Sequence, residues 1–372
     1  MKLGIVGWRG MVGQVLMERM SAEGDFDFFE TSFFSTSNAG GSHPFKHLKN
    51  ANPVLQDAYN TKELALMDVI VTCQGGDYTK AVFKNLRDLG FKGYWIDAAS
   101  AIRMEENSTI ILDPVNMSVI KSALLAGKKD FIGGNCTVSL MLMALGGLFT
   151  QGHIEWMTSQ TYQAASGGGA RHMNELLQQM KYITDRVLGA EANLSDKILS
   201  VEKNVTTLMG HNDFPKENFG QSLACNLIPW IDSDLGNGQS REEWKASAEG
   251  NKILGTKSII PIDGTCVRVS SMRCHAQALT IKLKSAIPLD EIEGLLAAHN
   301  PWVMVVPNNK TESIKYLTPE FASGKLTVPV GRLRKLEMGD HYLNAFTVGD
   351  QLLWGAAEPL RRMLKILIDF KS

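Results

Sequence analysis

The sequence predicts an α/β protein: a Rossmann-type, doubly wound N-terminal domain followed by an α+β domain whose sheet is mixed or antiparallel. Three observations predict it. Short apolar runs alternate with helical stretches up to about residue 133, the pattern of a parallel sheet buried on both faces. A glycine-rich turn stands between the first strand and the first helix. Beyond residue 133 the strands alternate wet and dry residues, as Leu279, Ile281 and Leu283 do with Thr280, Lys282 and Lys284, which gives them one solvated face. The expected division is an N-terminal domain over 1–133, completed by a C-terminal helix over 355–372, and a second domain over 134–354.

In chain order, Leu3 to Val6 is the first strand and Val12 to Met20 the first helix. Phe26 to Phe34 is an aromatic and β-branched strand, Asp68 to Thr72 a third, Tyr94 to Ile96 a fourth and Ile110 to Leu112 a fifth. Helices are expected from Tyr78 to Leu89 and from Val115 to Leu125, the second opened by Asp113-Pro114. Val267 to Met272 and Phe346 to Val348 read as further strands, Phe214 to Gly238 as an irregular excursion, and Leu360 to Phe370 as an amphipathic final helix packing on the first domain.

Composition narrows the class. The chain has 372 residues, enough for two cores, and a formal net charge of −1 with 21% charged residues. It lacks the basic excess of a nucleic-acid binder. The longest apolar stretch, Thr137 to Phe149, is too short for a membrane span. The apolar run at the N-terminus is interrupted by Arg9 and falls short of a signal peptide. Five cysteines form no CxxC pair and no HExxH pattern occurs; reduced thiols in a cytoplasmic protein without a metal are the expectation.

Gly7, Gly10 and Gly13 follow the first strand in a GxxGxxG spacing, a variant of the fingerprint that brings a backbone close to a pyrophosphate at a helix N-terminus. A tight turn without ligand is the plainer alternative; the placement between strand and helix favours a dinucleotide. The second strand ends in Ser35-Thr36-Ser37-Asn38 with no carboxylate to take ribose hydroxyls. With Arg9 in the neighbouring loop, that ending suits a 2′-phosphate, so NADP is expected rather than NAD.

The run GGNCTVSLMLMALGGLF puts Cys136 in the first turn of an apolar helix, where the helix dipole favours thiolate. Most cysteines merely pack. The Gly-Gly-Asn approach, the helix start and the position after the nucleotide-binding half single this one out as a nucleophile. Cys73, Cys266 and Cys274 read as packing residues, and Cys225 falls in the irregular segment.

The blocks GWRGMVG, FFSTS, VTCQGGDYT, WIDAAS, GGNCTVSLMLM, YQAASGGGARHM, REEWK, NPW and FTVGDQLLWGAAEPLRRML together resemble bacterial aspartate-semialdehyde dehydrogenases of the Gram-negative type, from the first strand to the last helix. The resemblance implies reversible, NADP- and phosphate-dependent conversion of L-aspartate 4-semialdehyde to L-4-aspartyl phosphate through a Cys136 thioester. It also implies a homodimer and a place in lysine (through diaminopimelate), threonine, methionine and isoleucine synthesis.

Residue by residue, the resemblance makes Cys136 the nucleophile, His275 the acid–base group and Gln163 the substrate-orienting amide. Arg268 corresponds to the clamp on the substrate carboxylate, Glu242 to the acid for its amino group, and Arg103 and Lys245 to the phosphate cations. Asn135 joins this substrate-binding set. Gly7, Arg9, Gly10, Met11, Val12, Thr36, Ser37, Gln74, Ser166, Gly167, Gly168, Gly169, Ala170 and Gln351 correspond to cofactor contacts. Without the resemblance, Glu242 and Lys245 read equally well as an exposed i,i+3 pair on a helix capped by Ser240 and Glu243. Two alternatives stay open: an N-acetyl-gamma-glutamyl-phosphate reductase-like enzyme, and a non-catalytic NADP-binding sensor.

Overall fold

The computed structural model describes residues 1–46, 48–187 and 197–371. Its first sheet holds β1 (Lys2–Val6), β2 (Glu30–Ser35), β3 (Gln56–Asp57), β4 (Val69–Thr72), β5 (Tyr94–Asp97), β6 (Ser108–Ile111) and β7 (Asp130–Gly133). The spatial order is β3-β2-β1-β4-β5-β7-β6, and every pairing is parallel. All residues of β4, β5 and β6 are buried, as sheets covered on both faces require. The order reverses between β1 and β4, so a crevice opens at the carboxyl ends of those two strands. Gly7 there has φ +77°, and a side chain on it would strike the backbone of Gln74 after β4.

The second sheet holds β8 (Ile154–Gln163), β9 (Leu227–Ile228), β10 (Ile262–Asp263), β11 (Cys266–Val269), β12 (His275–Leu283), β13 (Val303–Val305), β14 (Val328–Leu336) and β15 (Gly339–Gly349). It runs β13-β14-β15-β12-β8-β11-β9, with β10 also on β8. Parallel and antiparallel pairings coexist, so the sheet is mixed. An interior strand, β8, is absent from the sequence reading. Its inward face carries Ser159, Thr161 and Gln163, polar residues that hide the alternation. The aromatic run before β2 also divides: Asp25–Phe28 is a 3-10 turn that buries Phe26, and the strand begins only at Glu30.

Against the second sheet lies the cysteine helix, Cys136–Thr150, buried from Thr137 through Phe149. A helix apolar all round belongs inside a protein, and this one packs against β12, β14, β15 and the helix Leu289–His299. The final helix, Glu358–Lys371, returns to the first domain. Its Leu360, Met363, Leu364 and Leu367 are fully buried in the same core as Leu3, Ile5 and Leu16, each worth roughly 1.5–3 kcal/mol.

Polar contacts fix where this helix docks. Glu358 is fully buried and accepts from Arg19 Nε at 2.9 Å and from Arg361 Nη2 at 2.9 Å. Arg361 also donates to Asp25 at 2.9 Å. Burial alone would raise the Glu358 pKa; the two arginines outweigh it and hold the carboxyl below its ordinary range. Glu358→Ala leaves two guanidinium groups short of a partner and is expected to destabilise the protein by about 3 kcal/mol or more, read as a lowered urea midpoint. Unchanged urea unfolding would show the network to be dispensable.

Candidate active site

A cavity of about 530 Å³ lies where the two sheets' strand ends meet. Its walls come from Met11 and Val12 after β1, Ala98, Ser100 and Arg103 after β5, and Gly134 to Cys136 at the cysteine helix. Gln163, the turn Ser166 to Gly169, Asp232, Glu242, Lys245, Arg268 and the segment Gln351 to Ala356 complete it. Residues far apart in sequence arrive together because strand register demands it. Gln163 at the end of β8 is paired with Arg268 on β11 and with His275 on β12, so three of the expected site residues share one rung.

Cys136 begins its helix, and Asn135 caps it, the Asn135 Oδ1 accepting from the backbone N–H of Thr137 at 3.0 Å and of Val138 at 3.1 Å. The Asn135 Nδ2 donates to Glu242 at 3.0 Å. The same carboxylate accepts from Gln163 Nε2 at 3.2 Å and from Lys245 Nζ at 3.0 Å. Burial would raise the Glu242 pKa, but Lys245 and the donated bonds outweigh it and depress it. Burial likewise works against the Lys245 ammonium, and Glu242 and Asp232 reverse that, holding its pKa above the ordinary value. The pair is therefore ionised and buried, not the exposed helix pair that spacing alone allowed. Its helix, Arg241–Leu254, has the expected Ser240–Glu243 capping box.

The thiol departs from expectation. Burial, then the Glu242 carboxylate, pushes the Cys136 thiol up to about 12, against the pull of Lys245, Arg268 and the Thr137 backbone N–H. A helix N-terminus supplies only about half a positive charge, too little here to offset desolvation. The resting sulfur is a thiol, so a proton must leave as it attacks.

His275 is fully buried and does not line the cavity. It sits behind Gly167, where an added side chain would lie 3.1 Å from its Nε2 and 2.6 Å from Arg268 Nη1. Its Nδ1 accepts the Ala164 backbone N–H at 3.0 Å, which places the proton of the neutral ring on Nε2. Burial and Arg268 lower its pKa to about 3. The Nε2 has no partner among the described residues, so in this arrangement the ring is a donor, whereas accepting a thiol proton would require a free lone pair.

The cofactor residues divide into two groups. Met11, Val12, Ser166 to Gly169 and Gln351 line the cavity. Gly7, Arg9, Gly10, Thr36, Ser37 and Gln74 lie outside it, on the loops after β1, β2 and β4, and Ala170 opens the helix Ala170–Val187. Arg9 Nη2 donates to Ser35 Oγ at 3.1 Å and to Ser37 Oγ at 2.8 Å, a guanidinium and two hydroxyls at one point. Gln351 donates to Ser166 Oγ and accepts the Cys274 backbone N–H at 2.8 Å, which ties the turn to β12.

Comparison with known proteins gives the family. Residues 2–123 match the semialdehyde dehydrogenase NAD-binding domain, and residues 145–354 match the semialdehyde dehydrogenase dimerisation domain. A solved aspartate semialdehyde dehydrogenase from Francisella tularensis is 48% identical, with a TM-score of 0.95 over 99% of this chain and 100% of that one. The chain belongs to the aspartate-semialdehyde dehydrogenase family.

More distant members share the fold. A Vibrio cholerae aspartate semialdehyde dehydrogenase II, solved with its semialdehyde, is 23% identical with a TM-score of 0.79, covering 99% of this chain and 98% of that one. A Candida albicans aspartate semialdehyde dehydrogenase with NADP is 17% identical with a TM-score of 0.66, over 99% and 98%. As a member of this family the chain is an NADP-dependent dehydrogenase. The first-domain residues fit that cofactor: the Arg9, Ser35 and Ser37 cluster suits a 2′-phosphate, and the loop at Gly7 leaves the backbone open beside it.

Several residues of this dehydrogenase site escaped the sequence reading. Asp232, in the irregular segment and at φ +70°, bonds Lys245 at 2.8 Å and occupies the ammonium. Ser35 was legible as one of the hydroxyls that end β2, but its place in the loop was not: it accepts the Asn38 N–H at 3.0 Å. Gly355 lies against the nucleophile, since a side chain there would stand 2.6 Å from Cys136 Cβ; the GDQLLWG block had been read only as a cofactor contact. Asp97 accepts from Thr79 at 2.6 Å and from the Ala99 N–H at 2.7 Å, and so anchors the loop that carries Arg103.

Two outcomes test this site. With the thiol pKa near 12, alkylation of Cys136 by iodoacetamide in ligand-free enzyme rises about tenfold per pH unit between roughly pH 6 and 10. A plateau near neutrality, followed by mass spectrometry, would mean a preformed thiolate. Gly355→Ala pushes on the cysteine and is expected to lower kcat at least about tenfold while leaving the fold intact by circular dichroism.

Proposed function

We propose that this enzyme converts L-aspartate 4-semialdehyde, NADP and phosphate reversibly to L-4-aspartyl phosphate, with Cys136 as nucleophile. The observation carrying this reading is that Cys136 lines one cavity together with Met11 and Val12 of the dinucleotide loop and with Arg103, Lys245 and Arg268. Residues 1–133 with the C-terminal 355–372 form the NADP-binding domain, and 134–354 form the catalytic and dimerisation domain of a cytoplasmic homodimer. The product enters lysine (through diaminopimelate), threonine, methionine and isoleucine synthesis.

Arg268 takes the substrate carboxylate through its forked donors, and Glu242 takes the ammonium. Gln163, held by Glu242 at 3.2 Å, orients the aldehyde. The Cys136 sulfur adds to the aldehyde carbon as its proton passes to the aldehyde oxygen, forming a hemithioacetal. Bound NADP supplies the hydride acceptor. His275 carries the acid–base duty. For that duty the ring gives up the Ala164 N–H and carries its own proton on Nδ1, so that the Nε2 lone pair takes up the hydroxyl proton as the oxygen regains its double bond to carbon. The thioester keeps the acyl group reactive. Phosphate, held by Arg103 and Lys245 once Asp232 yields the ammonium, attacks the thioester carbon. The carbon–sulfur bond breaks, and the sulfur leaves as thiolate to regain a proton.

The decisive assay is NADPH formation by purified enzyme with aspartate semialdehyde, dependent on phosphate, run beside N-acetylglutamate semialdehyde. Preference for the acetylated substrate would overturn the assignment. Cys136→Ser is expected to cut turnover by about three orders of magnitude or more with NADP binding retained. Surviving activity would remove the nucleophile.

A further inference from the structure

The helix Arg241–Leu254 carries an acid–base–acid–base series at Glu242, Lys245, Glu249 and Lys252. This i, i+3, i+7, i+10 spacing puts all four on one face of the helix. Glu242 and Lys245 meet the catalytic cavity directly. Glu249 and Lys252 have no part in the chemistry above, yet Glu249 is 1% exposed, a costly place for a carboxylate unless it is paired.

Its partners explain the position. Glu249 Oε1 accepts from Arg103 Nη1 at 2.9 Å, between side chains 2% and 6% exposed. Its Oε2 accepts the backbone N–H of Asn135 at 2.7 Å, immediately before the nucleophile. One turn further on, Lys252 Nζ donates to the carbonyl oxygens of Arg103 at 2.9 Å and of Glu105 at 2.7 Å. The guanidinium and the backbone of Arg103 are thus gripped from one helix, and the same carboxylate grips the mouth of the cysteine helix.

Arg103 stands on a loop of the first domain and has a long, rotatable side chain. Nη1 is tied to Glu249 and Nη2 donates to Ala98 O at 3.3 Å. The Nε is buried and has no partner among the described residues. Both ends of the guanidinium are fixed, while the buried Nε–H is left over. We propose that Glu249, assisted by Lys252, is a positioning residue that sets Arg103 at a fixed separation from Cys136, so that phosphate is held in line with the thioester. This rests on the reading of Arg103 as a phosphate cation given above.

Steady-state kinetics with phosphate varied at saturating aspartate semialdehyde and NADP test it. Glu249→Gln keeps the shape and weakens the charge-assisted bond, which is expected to raise the phosphate KM about tenfold. The KM values for aspartate semialdehyde and NADP should stay within about twofold. Lys252→Met moves the phosphate KM the same way by a smaller factor, and it carries the test alone if the buried variant does not fold. Arg103→Ala also raises the phosphate KM, and adding Glu249→Gln to it changes nothing further, the signature of two residues acting through one contact. The clamp is overturned if Arg103→Ala raises the phosphate KM while neither Glu249→Gln nor Lys252→Met moves it, or if Glu249→Gln lowers all parameters alike and additively with Arg103→Ala. If Arg103→Ala leaves the phosphate KM unchanged, the phosphate role of Arg103 itself falls, and the clamp falls with it.

Discussion

The backbone N–H groups at the mouth of a buried helix must find acceptors away from water, and here Asn135 is the residue on which that requirement converges. Its Oδ1 takes the N–H groups of Thr137 and Val138 and the Thr137 hydroxyl. Its Nδ2 goes to Glu242 and its own N–H to Glu249. No rotation of Asn135 keeps all of these bonds, so the residue before the nucleophile has one orientation, and Cys136 inherits it.

The same junction shows how buried charges are tolerated. Glu242, Lys245, Glu249 and Arg103 are each below a tenth exposed, and each is bonded to a group of opposite sign. Truncating one member of such a set is far more damaging than never having built it, which couples the charges on the helix Arg241–Leu254 to one another. The thiol follows from this environment. A carboxylate beside it and the loss of water count for more than the partial charge of a helix end, so its reactivity has to be created when substrate arrives.

The two sheets contribute different things. The parallel sheet offers the crevice beside β1 and β4, a backbone-lined site suited to a long anionic cofactor. The mixed sheet offers a row: Arg268, Gln163 and His275 lie on neighbouring strands in register, and a slip of one residue would turn each to the opposite face. Glu358, Arg19, Arg361 and Asp25 hold the final helix to the first sheet, and the segment leading into that helix lays Gly355 against Cys136.

Much of this was legible in the amino-acid sequence, because local chemistry produced it. The alternating strands, the glycine turn after β1, the absence of an acid near Ser35 to Ser37, the cap and start of the cysteine helix and the Ser240–Glu243 box all depend on residues within a few positions of one another. The strand β8 was hidden by polar residues facing inward, and these become intelligible only once Ser159 meets Gln277 at 2.9 Å. Glu249 and Asp232 were likewise invisible as site residues, although the spacing from Glu242 through Lys245 to Glu249 carried a trace of the first. Partners such as Arg103 and Asn135 lie more than a hundred residues from Glu249 in the chain, and burial set the ionisation of Cys136 and His275. Sequence determined which groups are present and which local elements hold them; only the packing of the two sheets decided which charges face one another and how much water reaches them, because desolvation and pairing are properties of the assembled interior.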